Sequence, residues 1–314
     1  MQFLKANDAD FEREFRKIVR DRRESDKDVG RVVATILNEV RERGDEALVE
    51  LTSRYDQHHL SNEGDWKITA EQCETAYQKL DVDLREALEL AATRIRDYHT
   101  GQLPEDRDHT DAIGMRLGAR WNAVDAAGLY VPGGRAAYPS SLLMNAIPAK
   151  VAGVERLVVT TPTPKGAINP LVLAAAHIAG VDEIWRVGGA QAVAALAYGT
   201  DKIARVDVVT GPGNAFVAEA KRQLYGVVGI DMVAGPSEIL VIADKDNDPD
   251  WIAADLLSQA EHDPSSQSIL ITDDEGFGRL VEDAVDVQLA MLETGKRARQ
   301  SWDDHGVILS LIHI

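Results

Sequence analysis

The chain contains a single cysteine, Cys73, among its 314 residues. An intramolecular disulfide and a multi-cysteine zinc site are therefore excluded. The longest apolar stretches, such as residues 170–181, fall well short of the ~20 residues that span a bilayer. The N-terminal residues MQFLKANDADFEREF lack the apolar segment of a secretory signal. These absences predict a soluble, cytoplasmic protein.

Basic residues are also scarce. The 34 Lys and Arg residues are outnumbered by 52 Asp and Glu residues, which gives a formal net charge of -18. This charge argues against a nucleic-acid partner and against an anionic membrane surface. Apolar residues make up 45% of the chain and charged residues 27%, as in an ordinary globular protein. At roughly 150 residues per domain, the length predicts about two domains.

The hydrophobic pattern changes along the chain. The first hundred residues have helical periodicity, and residues 115–121 alternate as in a half-buried strand. From about residue 154, strand and helix patterns alternate at the spacing of βαβ units. The expected fold class is α/β, with two Rossmann-like parallel-sheet domains, one inserted in the other, and a helical N-terminal region. Glycine and proline clusters set the expected boundaries: residues 1–132 plus 237–314 form one domain, and residues 133–236 form the inserted one.

Glycine-containing turns follow predicted strands at three places: Tyr130 to Gly134, Gly188 to Gln191, and Gly211 to Asn214. Ligands bind at the carboxyl ends of strands in an open parallel sheet, and a following helix offers free N–H groups to phosphate. The third turn resembles a G-x-G-x-x-G fingerprint, but Phe216 replaces its last glycine. For each turn taken alone, glycine required only by strand-to-helix geometry is the competing interpretation.

Gln259 and His262 lie three residues apart at the end of a predicted helix and can share a face. Amide oxygen and imidazole nitrogen are acceptable zinc donors. A histidine that complements the helix dipole is the alternative. Cys73 lies inside a helical run, where a small core residue is favoured over a nucleophile.

The segment 230–262 carries a specific combination: Ile230-Asp231, then AGPSE at 234–238, an acidic residue followed by Leu-Leu-Ser, and Glu261-His262. Together with GLYVPGG, GGAQAVAALAYG and GPGN in the same order, it resembles the histidinol dehydrogenase family over about residues 1–309. The resemblance implies a homodimeric zinc enzyme that oxidises L-histidinol through L-histidinal to L-histidine with two NAD+, in the last step of histidine biosynthesis.

The resemblance also implies roles for individual residues. Tyr130, Gln191 and Asn214 match positions that contact NAD. Ser237 matches a residue that contacts substrate. Gln259 and His262 match zinc ligands that also touch substrate.

The family's catalytic Glu-His pair and its remaining Asp and His zinc ligands are expected beyond residue 314. Neither His305 nor His313 matches them, so no catalytic residue is assigned within the chain and the sequence is expected to be C-terminally incomplete. Two alternatives stay open: a catalytically inactive NAD-binding α/β fragment, and an NAD-dependent dehydrogenase for a different amino alcohol.

Overall fold

The structure is a computed structural model that describes residues 1–21, 27–133, 138–235 and 237–311. The chain divides into two compact units: Met1–Ser25 with Gly235–Ile314, and Asp26–Ala234. The second unit is therefore inserted in the first, and both contain a parallel sheet with helices. These features confirm the predicted fold class.

The helices and strands follow one another along the chain in this order: β1 (Gln2–Lys5), α1 (Phe11–Asp21), α2 (Lys27–Arg43), α3 (Asp45–Asp56), α4 (Glu63–Trp66), β2 (Lys67–Ile68), α5 (Ala70–Gln78), α6 (Val82–Thr100), β3 (Arg107–Thr110), β4 (Arg116–Ala119), β5 (Ala126–Tyr130), α7 (Pro139–Val151), β6 (Arg156–Thr160), α8 (Pro170–Ala179), β7 (Glu183–Trp185), α9 (Gly189–Tyr198), β8 (Val208–Thr210), α10 (Ala215–Leu224), β9 (Gly229–Ile230), β10 (Glu238–Ile242), α11 (Pro249–Ala260), β11 (Gln267–Thr272), α12 (Glu275–Met291), α13 (Gly295–His305) and β12 (Val307–Ser310). No helix in these described ranges is both long and apolar enough to cross a membrane.

The inserted unit is built on a sheet with the strand order β2-β7-β6-β5-β8-β9. All neighbours are parallel except β2, which runs antiparallel to β7. The chain moves outward from β5 to β6 and β7, then returns to the other side of β5 to form β8 and β9. The strand order therefore reverses between β5 and β8, and such a reversal opens a crevice at the carboxyl ends of the two strands.

Both faces of this sheet are covered. Ala126 and Tyr130 of β5 belong to one hydrophobic core with α2, α3, α9 and α10, whereas Ala127 and Leu129 belong to a second core on the opposite face. Alternate residues of a strand point to opposite faces, so an apolar strand such as AAGLY suits a doubly covered sheet.

The unit boundary lies at Asp26 rather than at the predicted residue 133. Helix α2 contributes Val33, Ile36 and Val40 to the first core, and α5 contributes Cys73 to the second. Helices α2 and α5 therefore cover the same sheet to which β5 belongs. The other boundary, at Gly235, is within two residues of the predicted position.

The other unit contains a parallel sheet with the order β1-β12-β11-β10. Strand β1 pairs with β12, where Gln2 lies opposite Val307. The sequence analysis predicted only helices in the first hundred residues, so β1 is a correction. Its partner strand lies at the far end of the chain, so no local sequence pattern predicts that pairing.

Strands β3 and β4 form a separate antiparallel hairpin in the inserted unit. The alternation in residues 115–121 correctly indicated a strand, but its predicted half-burial was wrong, because every residue of β3 and β4 is exposed. The apolar side chains of Ile113, Met115 and Trp121 are exposed as well.

Candidate functional site

The sheet register brings the ends of several strands of the inserted unit into one row. Tyr130 at the end of β5 lies opposite Thr160, which lies opposite Trp185. On the other side of β5, Leu129 lies opposite Thr210, so the next residue, Gly211, is beside Tyr130. The three glycine-containing turns therefore start from a single edge of the sheet, where open parallel sheets bind ligands.

Tyr130 links this edge to the turn after β7. Its side chain is 4% exposed, and its hydroxyl oxygen accepts a hydrogen bond from the Gly189 backbone N–H at 3.2 Å. Burial raises the pKa of Tyr130 to about 12; the Gly189 N–H opposes this effect and the Asp56 carboxylate adds to it. The phenol therefore stays protonated at neutral pH and serves as a neutral hydrogen-bonding group rather than as a base.

The turn Gly188–Gln191 leads directly into α9. Gly189 has φ +68°, and a Cβ at this position would lie 2.7 Å from Oε1 of Gln191. A Cβ on Gly188 would lie 2.3 Å from Cβ of Pro162, which follows β6. Glycine at both positions lets the turn pack closely against its neighbours and holds Gln191, which is 2% exposed, at the start of the helix.

The turn Gly211–Asn214 is constrained in the same way. Gly211 has φ +112°, and a Cβ there would lie 2.2 Å from the carbonyl oxygen of Tyr130. Asn214 is the N-cap of α10, where its Oδ1 accepts hydrogen bonds from Phe216 N at 3.1 Å and Val217 N at 3.2 Å. The structure thus gives Asn214 a capping role, which the sequence analysis did not assign.

The first turn is described only as far as Gly133, and Gly134 lies outside the described residues. A Cβ on Gly133 would lie 2.5 Å from the carbonyl oxygen of Pro162. Close backbone approach thus explains this glycine as well. The structural and functional interpretations of these glycines are compatible, because the same packing fixes the turns at the edge where open parallel sheets bind ligands.

Several buried polar atoms near this edge have no hydrogen-bond partner within the described part of the chain: Oγ1 of Thr160, Oγ1 of Thr163, Nε of Arg186 and Oδ2 of Asp56. Thr160 ends β6, and Arg186 directly follows β7. Buried polar groups are normally paired, so these atoms fit a site completed by a polar ligand or by ordered water.

Asp56, at the end of α3, was not among the sequence candidates. Burial raises the pKa of its carboxyl group, and the nearby His58 partly opposes that shift. A carboxylate that is partly desolvated near a candidate site is a typical mark of function. Its sequence context gave no signal, because an acidic residue at a helix end normally faces solvent.

Lys221 and Asp231 were also missed. Lys221 on α10 is 1% exposed, donates a hydrogen bond from Nζ to the carbonyl oxygen of Gly211 at 3.0 Å, and forms an ion pair with Asp231. Asp231 Oδ2 accepts a hydrogen bond from the Gly211 N–H at 2.9 Å. The sequence did contain an indication of this buried lysine. Lys221 lies four residues after Val217 and three before Leu224, so helical spacing puts it on the buried face of α10.

The remaining candidates belong to the other unit. Ser237 directly precedes β10, is exposed, and accepts a backbone hydrogen bond from Gln267 N at 3.0 Å. Gln259 is in the last turn of α11, and its Nε2 donates to Oγ of Ser266 at 3.4 Å. His262 lies just past the helix, is exposed, and donates its backbone N–H to the carbonyl oxygen of Gln259 at 3.2 Å.

Gln259 and His262 therefore sit at the end of one helix, as expected. Over the described ranges, no group of three or more His, Cys, Asp or Glu residues forms a metal cluster. The amide and imidazole of this pair have the right chemistry for zinc, but they make only part of a four-ligand set. Cys73 is buried, and burial raises its pKa to about 11, which favours the interpretation as a core residue.

Taken together, the reversed strand order and the turns at the carboxyl edge define a Rossmann-like α/β protein. The sequence profile described as histidinol dehydrogenase matches residues 19–313. The chain is 63% identical to the histidinol dehydrogenase of Zymomonas mobilis and 60% identical to that of Ruegeria pomeroyi. These matches cover 98% and 99% of the chain and 71% of each relative. This chain belongs to the histidinol dehydrogenase family.

The fold agrees with this assignment. The crystal structure of histidinol dehydrogenase from Elizabethkingia anophelis superposes with a TM-score of 0.86 at 32% identity. The superposition covers 99% of this chain and 71% of that structure's chain.

Proposed function

We propose that the protein oxidises L-histidinol through L-histidinal to L-histidine, with successive reduction of two NAD+. The family match over residues 19–313 is the observation that carries this proposal. The strand-end edge around Tyr130 supplies a place for the dinucleotide that is independent of the family name. The match to a family of histidine biosynthesis also supports a cytoplasmic biosynthetic enzyme.

In this proposal, Tyr130, Gln191 and Asn214 bind NAD+. The Tyr130 hydroxyl keeps its proton and can donate it in a hydrogen bond while its oxygen accepts from Gly189 N. Gln191 offers an amide at the start of α9, and Asn214 offers its amide at the start of α10. The contribution of these residues is to bind and orient the cofactor at a preorganised edge.

Ser237, Gln259 and His262 bind the substrate, and Gln259 and His262 would also be two of the zinc ligands. When bound, zinc supplies a template that holds the amino and imidazole nitrogens of histidinol in place. The chain's own residues contribute two neutral donors, an amide oxygen and an imidazole nitrogen, from one helix end. His262 must be unprotonated at its ligating nitrogen, so zinc affinity should fall in acid.

Removal of the substrate hydroxyl proton requires a general base. By the resemblance, this base belongs to the family's Glu-His pair, for which these 314 residues contain no match. We therefore assign the base to the share of the family sequence that the chain does not cover. The 314 residues alone should bind cofactor without oxidising histidinol.

We also assign a homodimer to the complete enzyme, with the β3–β4 hairpin as one contact. A two-stranded hairpin is marginally stable in water, and large exposed apolar side chains mark interaction surfaces. Ile113 is 86% exposed and Trp121 59%. A second copy of the chain would cover them.

The decisive experiment joins these 314 residues to the part of the Zymomonas mobilis relative that the match leaves uncovered. NADH formation is followed with histidinol, NAD+ and zinc. The proposal expects two NADH per histidinol. One NADH per histidinol would indicate that the reaction stops at the aldehyde, and turnover of a different amino alcohol instead would assign another substrate. A folded chimera that binds NAD+ and turns over nothing would support an inactive NAD-binding protein.

A further inference from the structure

The buried side chain of Lys221 lies beneath the turn that is proposed to meet NAD+. Lys221 donates to the Gly211 carbonyl, and Asp231 accepts from the Gly211 N–H. Both polar backbone groups of one glycine are thus held by a pair of opposite charges. A lysine on the buried face of a helix costs desolvation that an apolar residue would avoid, so its presence requires an explanation.

We propose that Lys221 and Asp231 are positioning residues for the NAD+ site, which fix the turn Gly211–Asn214 in the conformation that the cofactor needs. This inference rests on the proposed function. It concerns residues that touch the turn and not the cofactor.

The topology explains how the pair reaches the turn. Strands β8 and β9 are parallel neighbours with Val209 opposite Ile230, so the residues that follow them, Gly211 and Asp231, come close together. Helix α10 is the crossover between these strands, and Lys221 lies on its buried face. The end of β8, the crossover helix and the end of β9 therefore meet in one network.

The turn depends on this network because Gly211 has an unusual backbone. Its φ of +112° is available to glycine but not to other residues without strain, and its Cα lies against the Tyr130 carbonyl. Free glycine samples many conformations, so hydrogen bonds to both its N–H and its C=O select one of them. That conformation sets the start of α10, and with it Asn214, relative to Tyr130.

The pair acts through geometry rather than through net charge. Lys221 and Asp231 carry opposite charges in contact, so their combined field on a distant phosphate is small. Losing the hydrogen bonds from Lys221 and to Asp231 should therefore weaken NAD+ binding, because the turn Gly211–Asn214 would be less constrained. A residue that merely stabilises the fold would lower the melting temperature without a matching loss of affinity.

The test measures the NAD+ dissociation constant of the 314-residue chain by calorimetry and its melting temperature in parallel. Lys221→Met keeps the unbranched stem of the side chain and removes the donor. Leu224→Ala is the matched control, since Leu224 is buried in the same helix at 1% exposure and is an apolar residue of the first hydrophobic core. Asp231→Asn, which retains an acceptor but loses the charge, provides a second variant if Lys221→Met does not fold.

We expect Lys221→Met to raise the dissociation constant at least tenfold and Asp231→Asn to raise it severalfold. Leu224→Ala should lower the melting temperature while the dissociation constant stays within about twofold of the wild type. Wild-type affinity in a folded Lys221→Met or Asp231→Asn variant would overturn the inference alone. An equal loss of affinity in Leu224→Ala would overturn it too. Absence of NAD+ binding by the wild-type chain would overturn the proposed function together with this inference.

Discussion

Gly211 combines a positive φ of +112° with close packing at the candidate site. A Cβ there would contact the Tyr130 carbonyl at 2.2 Å. We expect Gly211→Ala to lower the free energy of unfolding by about 1–3 kcal/mol more than a glycine-to-alanine substitution that introduces only backbone strain. The extra loss arises because overpacking adds to the cost of a positive φ. Urea denaturation measures this difference.

Gly226 provides the control for this prediction. It has φ +99°, and a Cβ there would meet nothing within 4 Å. Gly226→Ala therefore reports the backbone strain without the steric clash. Equal losses of stability in the two variants would contradict the close approach of Gly211 to Tyr130.

Asp56 gives a prediction about pH. Burial raises the pKa of Asp56 in the folded state. The stability that this group contributes is therefore fully present below its unfolded pKa of about 3.9 and is lost as the pH rises through its pKa in the folded state. Asp56→Asn should therefore be more stable than the wild type at neutral pH, with the advantage vanishing in acid. Melting temperatures between pH 3 and pH 8, as a rough range, test this.

Asp65→Asn should behave in the opposite way. Hydrogen bonds from the backbone N–H groups of Asn62 and Ser61 lower the pKa of Asp65. Its contribution is present above the unfolded pKa and is lost as the pH falls, so this variant should lose stability at neutral pH. Parallel pH profiles for the two variants would refute the assigned environments.

At the scale of elements, the end of α11 is the proposed source of two zinc ligands. Removing one donor from a zinc site should cost several kcal/mol of a total of roughly 10–16 kcal/mol. We expect Gln259→Ala and His262→Ala in the active chimera to lose metal and activity together, as measured by metal analysis and NADH formation. His99→Ala in α6, outside the hairpin, is the control. Full zinc content in both ligand variants would leave the pair as an ordinary helix end.

The β3–β4 hairpin gives the second prediction at this scale. Ile113→Asp puts a charge at an apolar position that is 86% exposed, which should convert a dimer to monomers if the hairpin forms the contact. Light scattering coupled to size exclusion distinguishes a monomer of the chimera from its dimer. Val287→Asp on the exposed side of α12 is the matched control. A wild-type chimera that is monomeric, or a variant that stays dimeric, would exclude this contact.

At the scale of the whole molecule, cofactor binding and turnover should separate. The inserted unit contains all the proposed NAD+ residues, whereas the general base has no match in these 314 residues. NAD+ at about 100 times its dissociation constant should stabilise the chain by about 2.7 kcal/mol, measured as a shift in melting temperature. The same sample should form no NADH from histidinol, whereas an active relative measured in parallel should do so. General acid–base catalysis is worth about 10²–10⁴ in rate. Turnover within about tenfold of that relative would therefore refute the assignment of the base.

Local sequence patterns predicted much of the fold. Thr69 is of a residue type that favours helix N-caps, and its hydroxyl accepts a hydrogen bond from Gln72 N at the start of α5. The alternating strand and helix patterns place helices at residues 248–260 and 275–290, and α11 and α12 agree with them within a residue at each end. The turns after β5, β7 and β8 were placed at one edge for the same reason, since strand and helix periods are properties of short segments.

The amino-acid sequence by itself determined the α/β class, the strand-end turns and, through its motifs, the family. Tertiary structure decided the pairing of β1 with β12, the boundary at Asp26, the exposure of the hairpin, and the contact of Lys221 and Asp231 with Gly211. Propensity and periodicity act over a few residues, whereas these features depend on which distant segments meet. A lysine on an apolar helix face is an anomaly in the sequence, and its meaning emerges only when the fold supplies Asp231 and the Gly211 carbonyl as its partners.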